Sequence, residues 1–245
     1  MKKNKLSHII LDNLKTLIFA LIIAVLIRSL IVQPFYIPSS SMEPSLLVGD
    51  RIFVSKYSYG YSKHSFPFSP NISNNRYFSK DPSQGDLVVF KTPSDNRTDY
   101  IKRLIGLPGD EIQFINGDLY INSIKITREP TNISEPIRCG EFILDTNTFL
   151  ETLPNGTKHF VSYNKLGTLQ NTRKYIVPKK HYFLMGDNRD CSKDSRFDEV
   201  GFVKNQNLVG KAKIIFFSND TYKGSLLKLW NLHKSFRIER TFQGL

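Results

Sequence analysis

The chain has 245 residues, with 34 lysines and arginines against 22 aspartates and glutamates, for a net charge of +12. That length holds one large all-β domain or two smaller ones, and the charge suits an anionic partner, either nucleic acid or the headgroups of a bilayer. Two cysteines, Cys139 and Cys191, lie too far apart in sequence for a metal or redox motif. They read as two unrelated free thiols, with one long-range disulfide outside the cytoplasm as the lesser alternative.

The first predicted element is an apolar run from Leu14 to Val32. A helix of that length spans roughly 28 Å, close to a hydrocarbon core. Lys15 and Arg28 sit near opposite ends, where long cationic side chains reach the interface. Lys2, Lys3, Lys5 and Lys15 crowd the amino-terminal flank, so the positive-inside bias places that end in the cytoplasm and the rest outside. A cleaved secretory signal has a similar form, but no small-x-small site follows. Instead comes Gln33-Pro34-Phe35-Tyr36-Ile37-Pro38, bulky and twice broken by proline. With an anchor present, lipid is favoured over nucleic acid as the anionic partner.

Beyond the anchor the signals are those of strands and tight turns. Leu46-Leu47-Val48 and Ile52-Phe53-Val54 flank Gly49-Asp50, and Leu87 to Phe90 follows Gly85-Asp86. The stretch from Tyr57 to Gln84, rich in Ser, Asn, Pro and aromatics, reads as a long surface excursion. Glu111 to Ile115, Asn116-Gly117-Asp118 and Leu119 to Ile121 form a hairpin, because Asn-Gly accepts the positive φ values of a type I′ turn. From Thr127 the chain reads as an inserted β subdomain of secondary functional importance. Tyr175 to Val177, Tyr182 to Met185 and Leu208 to Phe217 are further strands. The tail from Ser225 alternates Leu226, Leu229, Trp230 and Phe236 with Lys228, Lys234, Arg237 and Arg240, a basic amphipathic helix on lipid or on the domain. The fold class is therefore mainly β: a cytoplasmic segment (1–13), an anchor (14–32), an extracytoplasmic antiparallel, barrel-like β domain in two parts (33–126 and 175–224), the insert (127–174) and the tail (225–245).

No His-Glu-x-x-His, Gly-x-Ser-x-Gly, Walker or Gly-x-Gly-x-x-Gly motif occurs, and the five histidines fall in no pattern. A Ser-His-Asp triad and a metal site are unsupported. What stands out is Ser39, Ser40 and Ser41 directly after the anchor, together with a lysine in an apolar strand, Asp99-Tyr100-Ile101-Lys102-Arg103. A hydroxyl becomes a nucleophile only with a base beside it, and a buried lysine can be that base. In a strand Lys102 shares a face with Tyr100 and Leu104 while Arg103 points the other way, so Lys102 is expected buried and Arg103 solvated. Chemistry alone does not choose among the three serines.

Pro38 to Leu46, Tyr100 to Arg103 and Gly186-Asp-Asn-Arg-Asp-Cys-Ser-Lys-Asp-Ser-Arg196 resemble three signature boxes of bacterial type I signal peptidase, in that family's order. Gly106 to Asp110 and Asn207 to Lys211 match as well. The resemblance implies a membrane-bound serine endopeptidase of the bacterial inner membrane, free of cofactors and metals, that removes signal peptides from preproteins after small-x-small sites. Carried over by position, it makes Ser41 the nucleophile and Lys102 the general base. Ser39 and the Ser41 amide form the oxyanion hole, and Ser192, Asp194 and Arg196 give support, with Ser192 orienting the lysine. Phe35, Ile37, Pro38, Met42, Leu46, Tyr100 and Ile101 match segments that meet the substrate. Two positions depart from the pattern: Ser40 stands where glycine is frequent and Cys191 where asparagine is common. Self-cleaving repressor-like proteins also pair Ser with Lys but carry a DNA-binding domain and no anchor, and neither cysteine lies in a sortase-like strand motif. The alternative from a different class is a tethered basic β-barrel that binds nucleic acid or anionic lipid.

Overall fold

A computed structural model describes residues 2–71, 73, 75–133, 136–164, 170–220 and 235–245, with side chains from residue 8 onward. Helix α1 (Lys2–Leu30) carries the apolar run, and its 23 residues from His8 to Leu30 are long and apolar enough to cross a membrane. Its large apolar side chains, Phe19 and Leu21 among them, are exposed on every side, as expected of a helix whose solvent is lipid. The helix ends two residues before the expected limit. Pro34 biases the residue before it away from helical geometry, and Val32 already pairs with Ser55 in a sheet.

Strands β1 (Val32–Tyr36), β2 (Asp50–Ser55), β3 (Leu87–Lys91) and β4 (Asp99–Gly106) lead to a hairpin, β5 (Glu111–Ile115) and β6 (Asp118–Ile121), followed by β7 (Ile124–Lys125). The insert contributes β8 (Thr127–Pro130), β9 (Ile137–Cys139), β10 (Phe142–Leu144), β11 (Thr146–Thr152) and β12 (Lys158–Asn164). The chain returns through β13 (Tyr175–Ile176), β14 (His181–Met185), β15 (Val203–Lys204), β16 (Leu208–Ser218) and β17 (Gln243–Gly244). The main sheet has the order β1-β2-β16-β3-β4-β14-β15, with β17 added to β16. All its pairings are antiparallel.

Alternation along β3 explains why this sheet is buried on both sides. Leu87 and Val89 enter one core with Met42, Leu46 and Ile215, while Val88 and Phe90 enter another with Leu104 and Tyr182. A third core joins Ile112, Phe114 and Leu119 of the hairpin to Phe183 and Met185. The hairpin forms as predicted, with Asn116 at φ 50° and Gly117 at φ 80°, both in the left-handed region that a type I′ turn demands.

The expected strand over Leu46 to Val48 is absent. These residues belong to a turn closed by the Leu47 amide on Asp50 Oδ2 (2.9 Å), and their apolar character serves burial: Leu46 is wholly buried. The expected helix over 225–234 lies outside the described residues. From Ser235 the chain is not a helix on lipid but part of the domain. Strand β17 pairs with Ile214 and Ile215, and Arg240 reaches Asp50 Oδ2 at 2.7 Å.

Candidate active site

The three serines follow β1 on a short 3-10 turn, Ser40–Met42, and its position is set by what lies underneath. Met42 and Leu46 are fully buried in the core, each contributing about 1.5–3 kcal/mol. They anchor the loop and do not line the cleft, which corrects their expected place against substrate. From the other side, the Asn188 amide donates to the Ser41 carbonyl and Asn188 Nδ2 to the Ser40 carbonyl, both at 3.2 Å. Gly186 completes the fit: a Cβ there would collide with Ser192 Oγ and the Ser41 carbonyl oxygen.

The three serines, equivalent in chemistry, differ in their surroundings. Ser40 is buried, and its Oγ donates to the Arg138 carbonyl at 2.5 Å. Ser39 is exposed, with its Oγ 3.4 Å from Ser41 Oγ. Ser41 Oγ lies 2.6 Å from Lys102 Nζ. Lys102 sits on β4 opposite Val88, with the Tyr100 ring 5.5 Å from its ammonium nitrogen, and is only 4% exposed. Burial pulls its pKa from the ordinary 10.5 down to about 8, against the pull of the Asp194 and Asp187 carboxylates in the other direction.

Those carboxylates are held by arginines. Asp194 accepts from Arg196 Nε and Nη2, both at 2.8 Å, and from the Gly186 amide at 2.9 Å. Burial raises its carboxyl, but Arg196 and these hydrogen bonds together hold it below the usual carboxylate value. Asp187 accepts from Arg103 Nε at 2.8 Å and Nη2 at 2.7 Å, and the pairing likewise outweighs burial. Arg103 is therefore buried, not solvated as strand alternation implied. It does point away from Lys102, but the opposite side of β4 is also covered.

Ser192, Asp194 and Arg196 all lie in the loop after β14, beside the Ser41–Lys102 pair. Among the described residues Ser192 makes no hydrogen bond to Lys102; it packs over Gly186. A cleft of about 440 Å³ opens in front of the pair, lined by Phe35, Ile37, Pro38, Tyr100 and Ile101 among others.

Several residues of this site were missed in the sequence. Arg189 and Glu151 form a fully buried bidentate pair, with Nη1 to Oε2 at 2.8 Å, and His159 Nε2 lies 3.3 Å from Glu151 Oε1. Ser162 on β12 donates its amide to the Asp187 carbonyl and accepts from the Arg189 amide, both at 2.9 Å. The insert thus packs against the loop behind Lys102 through these contacts. Asp187 and Arg189 stand inside the Gly186–Arg196 box, and two charges directly after an apolar strand were the available signal. Cys139 and Cys191 form a disulfide, correcting the reading of free thiols. It ties β9 to the cleft wall, with Cys191 Sγ 3.7 Å from Ser40 Oγ, and leaves no thiol for catalysis. Among the described residues no cluster of histidine, cysteine and carboxylate side chains could hold a metal.

Comparison with known proteins bears on this arrangement. The sequence profile of the family described as "Signal peptidase, peptidase S26" matches residues 10–217. A signal peptidase I of Rickettsia bellii (strain OSU 85-389) is 40% identical over 249 residues, covering 94% of this chain and 84% of that one. A signal peptidase I of Rickettsia typhi is 44% identical over 247 residues, covering 93% of this chain and 90% of that one. Among solved structures, a signal peptidase I from Enterococcus faecalis V583 is 29% identical, covers 54% of this chain and 97% of that one, and superposes with a TM-score of 0.33, too loosely to transfer detail.

Proposed function

Since the chain belongs to the signal peptidase family, peptidase S26, and is a serine peptidase that cleaves signal peptides, we propose that Ser41 is its nucleophile and Lys102 its general base. The observation that carries this reading is the 2.6 Å contact between Ser41 Oγ and a lysine that burial has brought to a pKa of about 8. When the amine is neutral, Ser41 donates its proton to Nζ as Oγ attacks the scissile carbonyl. The tetrahedral oxyanion takes hydrogen bonds from the Ser41 amide and Ser39 Oγ. Collapse expels the amine of the mature protein, which takes the proton from Lys102, and leaves an acyl ester on Ser41. Water then attacks the ester carbon as Lys102 takes its proton; the carbon–Oγ bond breaks, the signal peptide leaves as its carboxylate, and Lys102 returns the proton to Ser41 Oγ.

Asp194–Arg196 and Asp187–Arg103 act by holding the backbone around the lysine. Ser192 supports it through packing against Gly186. Phe35, Ile37, Pro38, Tyr100 and Ile101 form shallow apolar walls that admit small side chains and exclude branched or aromatic ones. Helix α1 spans the bacterial inner membrane once, with its basic start in the cytoplasm and the β domain on the outer face, next to emerging cleavage sites. Incubating the detergent-purified chain with a preprotein and sequencing the new amino terminus tests the whole reading. Wild type should cut after a small-x-small site and Ser41→Ala should not; cutting by Ser41→Ala removes the nucleophile.

Two further outcomes are expected at this site. Ser39→Ala should slow turnover without abolishing it, since losing one oxyanion donor costs about 2.7–4 kcal/mol of transition-state stabilisation. Steady-state cleavage rates check this, and an unchanged kcat would discard Ser39 as a donor. Reducing the disulfide, or replacing both cysteines by serine, should lower kcat by about 10- to 100-fold, because misplacing a reacting group by roughly 1 Å has effects of that size. Cleavage followed with and without reductant measures it, with reoxidation restoring the wild-type rate.

A further inference from the structure

A second cavity, of about 710 Å³, lies where α1 enters the domain. Arg28 of the last helical turn and Gln33 of β1 form one wall, the excursion from Lys63 to Ser69 a second, and Lys91 with the turn from Asp95 to Asp99 a third. Four cations face it, Arg28, Lys63, Lys91 and Arg97, against the carboxylates of Asp95 and Asp99. Both carboxylates are already engaged. Asp99 accepts from Lys91 Nζ at 2.8 Å, and Asp95 accepts from the Thr92 and Thr98 hydroxyls and from the Arg97 and Thr98 amides. Among the described residues the side chains of Arg28, Lys63 and Arg97 have no acidic partner.

Behind this wall Lys56 is almost wholly buried, and among the described residues its Nζ bonds only to the His64 carbonyl, at 3.4 Å. Burial brings its pKa to about 8, with Asp99 opposing the shift and Arg28, Lys91 and Arg76 adding to it, so cations outnumber carboxylates around this cavity. The excursion is fixed to the helix exit by Tyr61 Oη on the Leu30 carbonyl (2.9 Å) and the Lys56 amide on the Ile31 carbonyl (3.0 Å). On its rim Phe68 is wholly exposed in a left-handed backbone conformation (φ 62°), and Phe66 is 38% exposed. A strained turn that holds one aromatic ring entirely outside the protein beside a second exposed ring is costly in water and natural at a lipid boundary.

We propose that this cavity binds the anionic, phosphate-bearing headgroup of a membrane lipid, with Arg28, Lys63 and Arg97 around the phosphate and Phe66 and Phe68 among the acyl chains. The proposal rests on the reading of α1 as a membrane-spanning anchor. Depth argues for lipid over a free phosphate, because the cavity is level with the carboxyl end of the apolar helix, where headgroups lie. Asp99 lines both this cavity and the catalytic cleft, so a seated lipid borders the substrate site.

The test uses the full chain. It is first placed in phosphatidylcholine nanodiscs and washed with high salt; release of the protein would overturn the anchor and this proposal with it. Delipidated protein is then titrated with phosphatidylglycerol and, separately, inorganic phosphate, with bound species counted by native mass spectrometry. Wild type should retain one phosphatidylglycerol in preference to phosphatidylcholine. The double variant Lys63→Gln/Arg97→Gln should bind it about 30-fold more weakly, each cation near a membrane surface being worth about fivefold. Neither side chain is paired, so the variant should fold and cleave a short soluble peptide as wild type does. Protein that stays in the nanodisc but shows no preference, or no loss in the variant, overturns the headgroup site alone. Displacement of the lipid by millimolar inorganic phosphate overturns the assignment to lipid.

Discussion

Lys102→Met is expected to abolish cleavage while making the folded protein more stable. A lysine whose pKa falls from 10.5 unfolded to about 8 folded opposes folding at every pH below the unfolded value, by about 3 kcal/mol at neutrality. The sign follows from proton counting: the unfolded chain binds more protons, so stability rises with pH between about 8 and 10.5 and the penalty is full below 8. Methionine fills similar space and carries no charge, so denaturant midpoints should rise as activity disappears. A lysine needed only for structure would give the opposite result. Lys102→Arg should also be inactive, because a guanidinium stays protonated and cannot accept the Ser41 proton. In wild type, kcat/KM should fall about tenfold per pH unit on the acid side of 8, following the neutral fraction of the amine. A flat profile from pH 5 to about 8, or measurable turnover by Lys102→Met, would remove Lys102 as base.

Arg189→Met is expected to destabilise the protein by about 3–5 kcal/mol, because it removes the bidentate cation and leaves the buried Glu151 charge with only His159 beside it. The double variant Arg189→Met/Glu151→Leu should recover most of that loss, since a well-packed apolar pair replaces a buried ion pair at little net cost. Burial alone would raise the Glu151 carboxyl, but Arg189 and His159 together bring it down to about 2. Its folded value is thus below its unfolded one, and the stability it contributes is present above about 4.5 and lost as pH falls through about 2. In Arg189→Met the carboxyl protonates readily, so the difference from wild type should shrink on acidification. Denaturation of both proteins at pH 7 and pH 4 measures this. Equal stability of single variant and wild type would show that the pair does not brace the loop.

What could be read in advance follows the range of the interactions. The Asn116-Gly117 turn, most of the strands and the long apolar helix are local, and each appears within a few residues of its predicted place. Ser41 and Lys102 are 61 residues apart, yet each sits in a short segment that resembles a family signature, so the pair could be proposed before any geometry existed. Arg103 was misread because alternation tells which way a side chain points but not what covers that side, and its partner Asp187 lies 84 positions away. The Glu151–Arg189 pair and the Cys139–Cys191 disulfide were hidden for the same reason, since nothing local to the insert marks what it packs against. Leu46 and Leu47 read as a strand because burial from a turn and burial from a sheet leave the same apolar residues in sequence.

The dry setting of Lys102 has a chemical consequence apart from proton transfer. An uncharged amine also attacks electrophilic carbon, and among the described lysines only Lys56 and Lys102 are drawn down to about 8, Lys56 being absent from the wall of the catalytic cleft. An aldehyde or activated acyl group carried on a small apolar scaffold would therefore meet in the cleft a lysine whose pKa burial has lowered. Covalent inhibitors can on this basis be aimed at the nitrogen instead of the hydroxyl, with selectivity that comes from desolvation and not from shape alone.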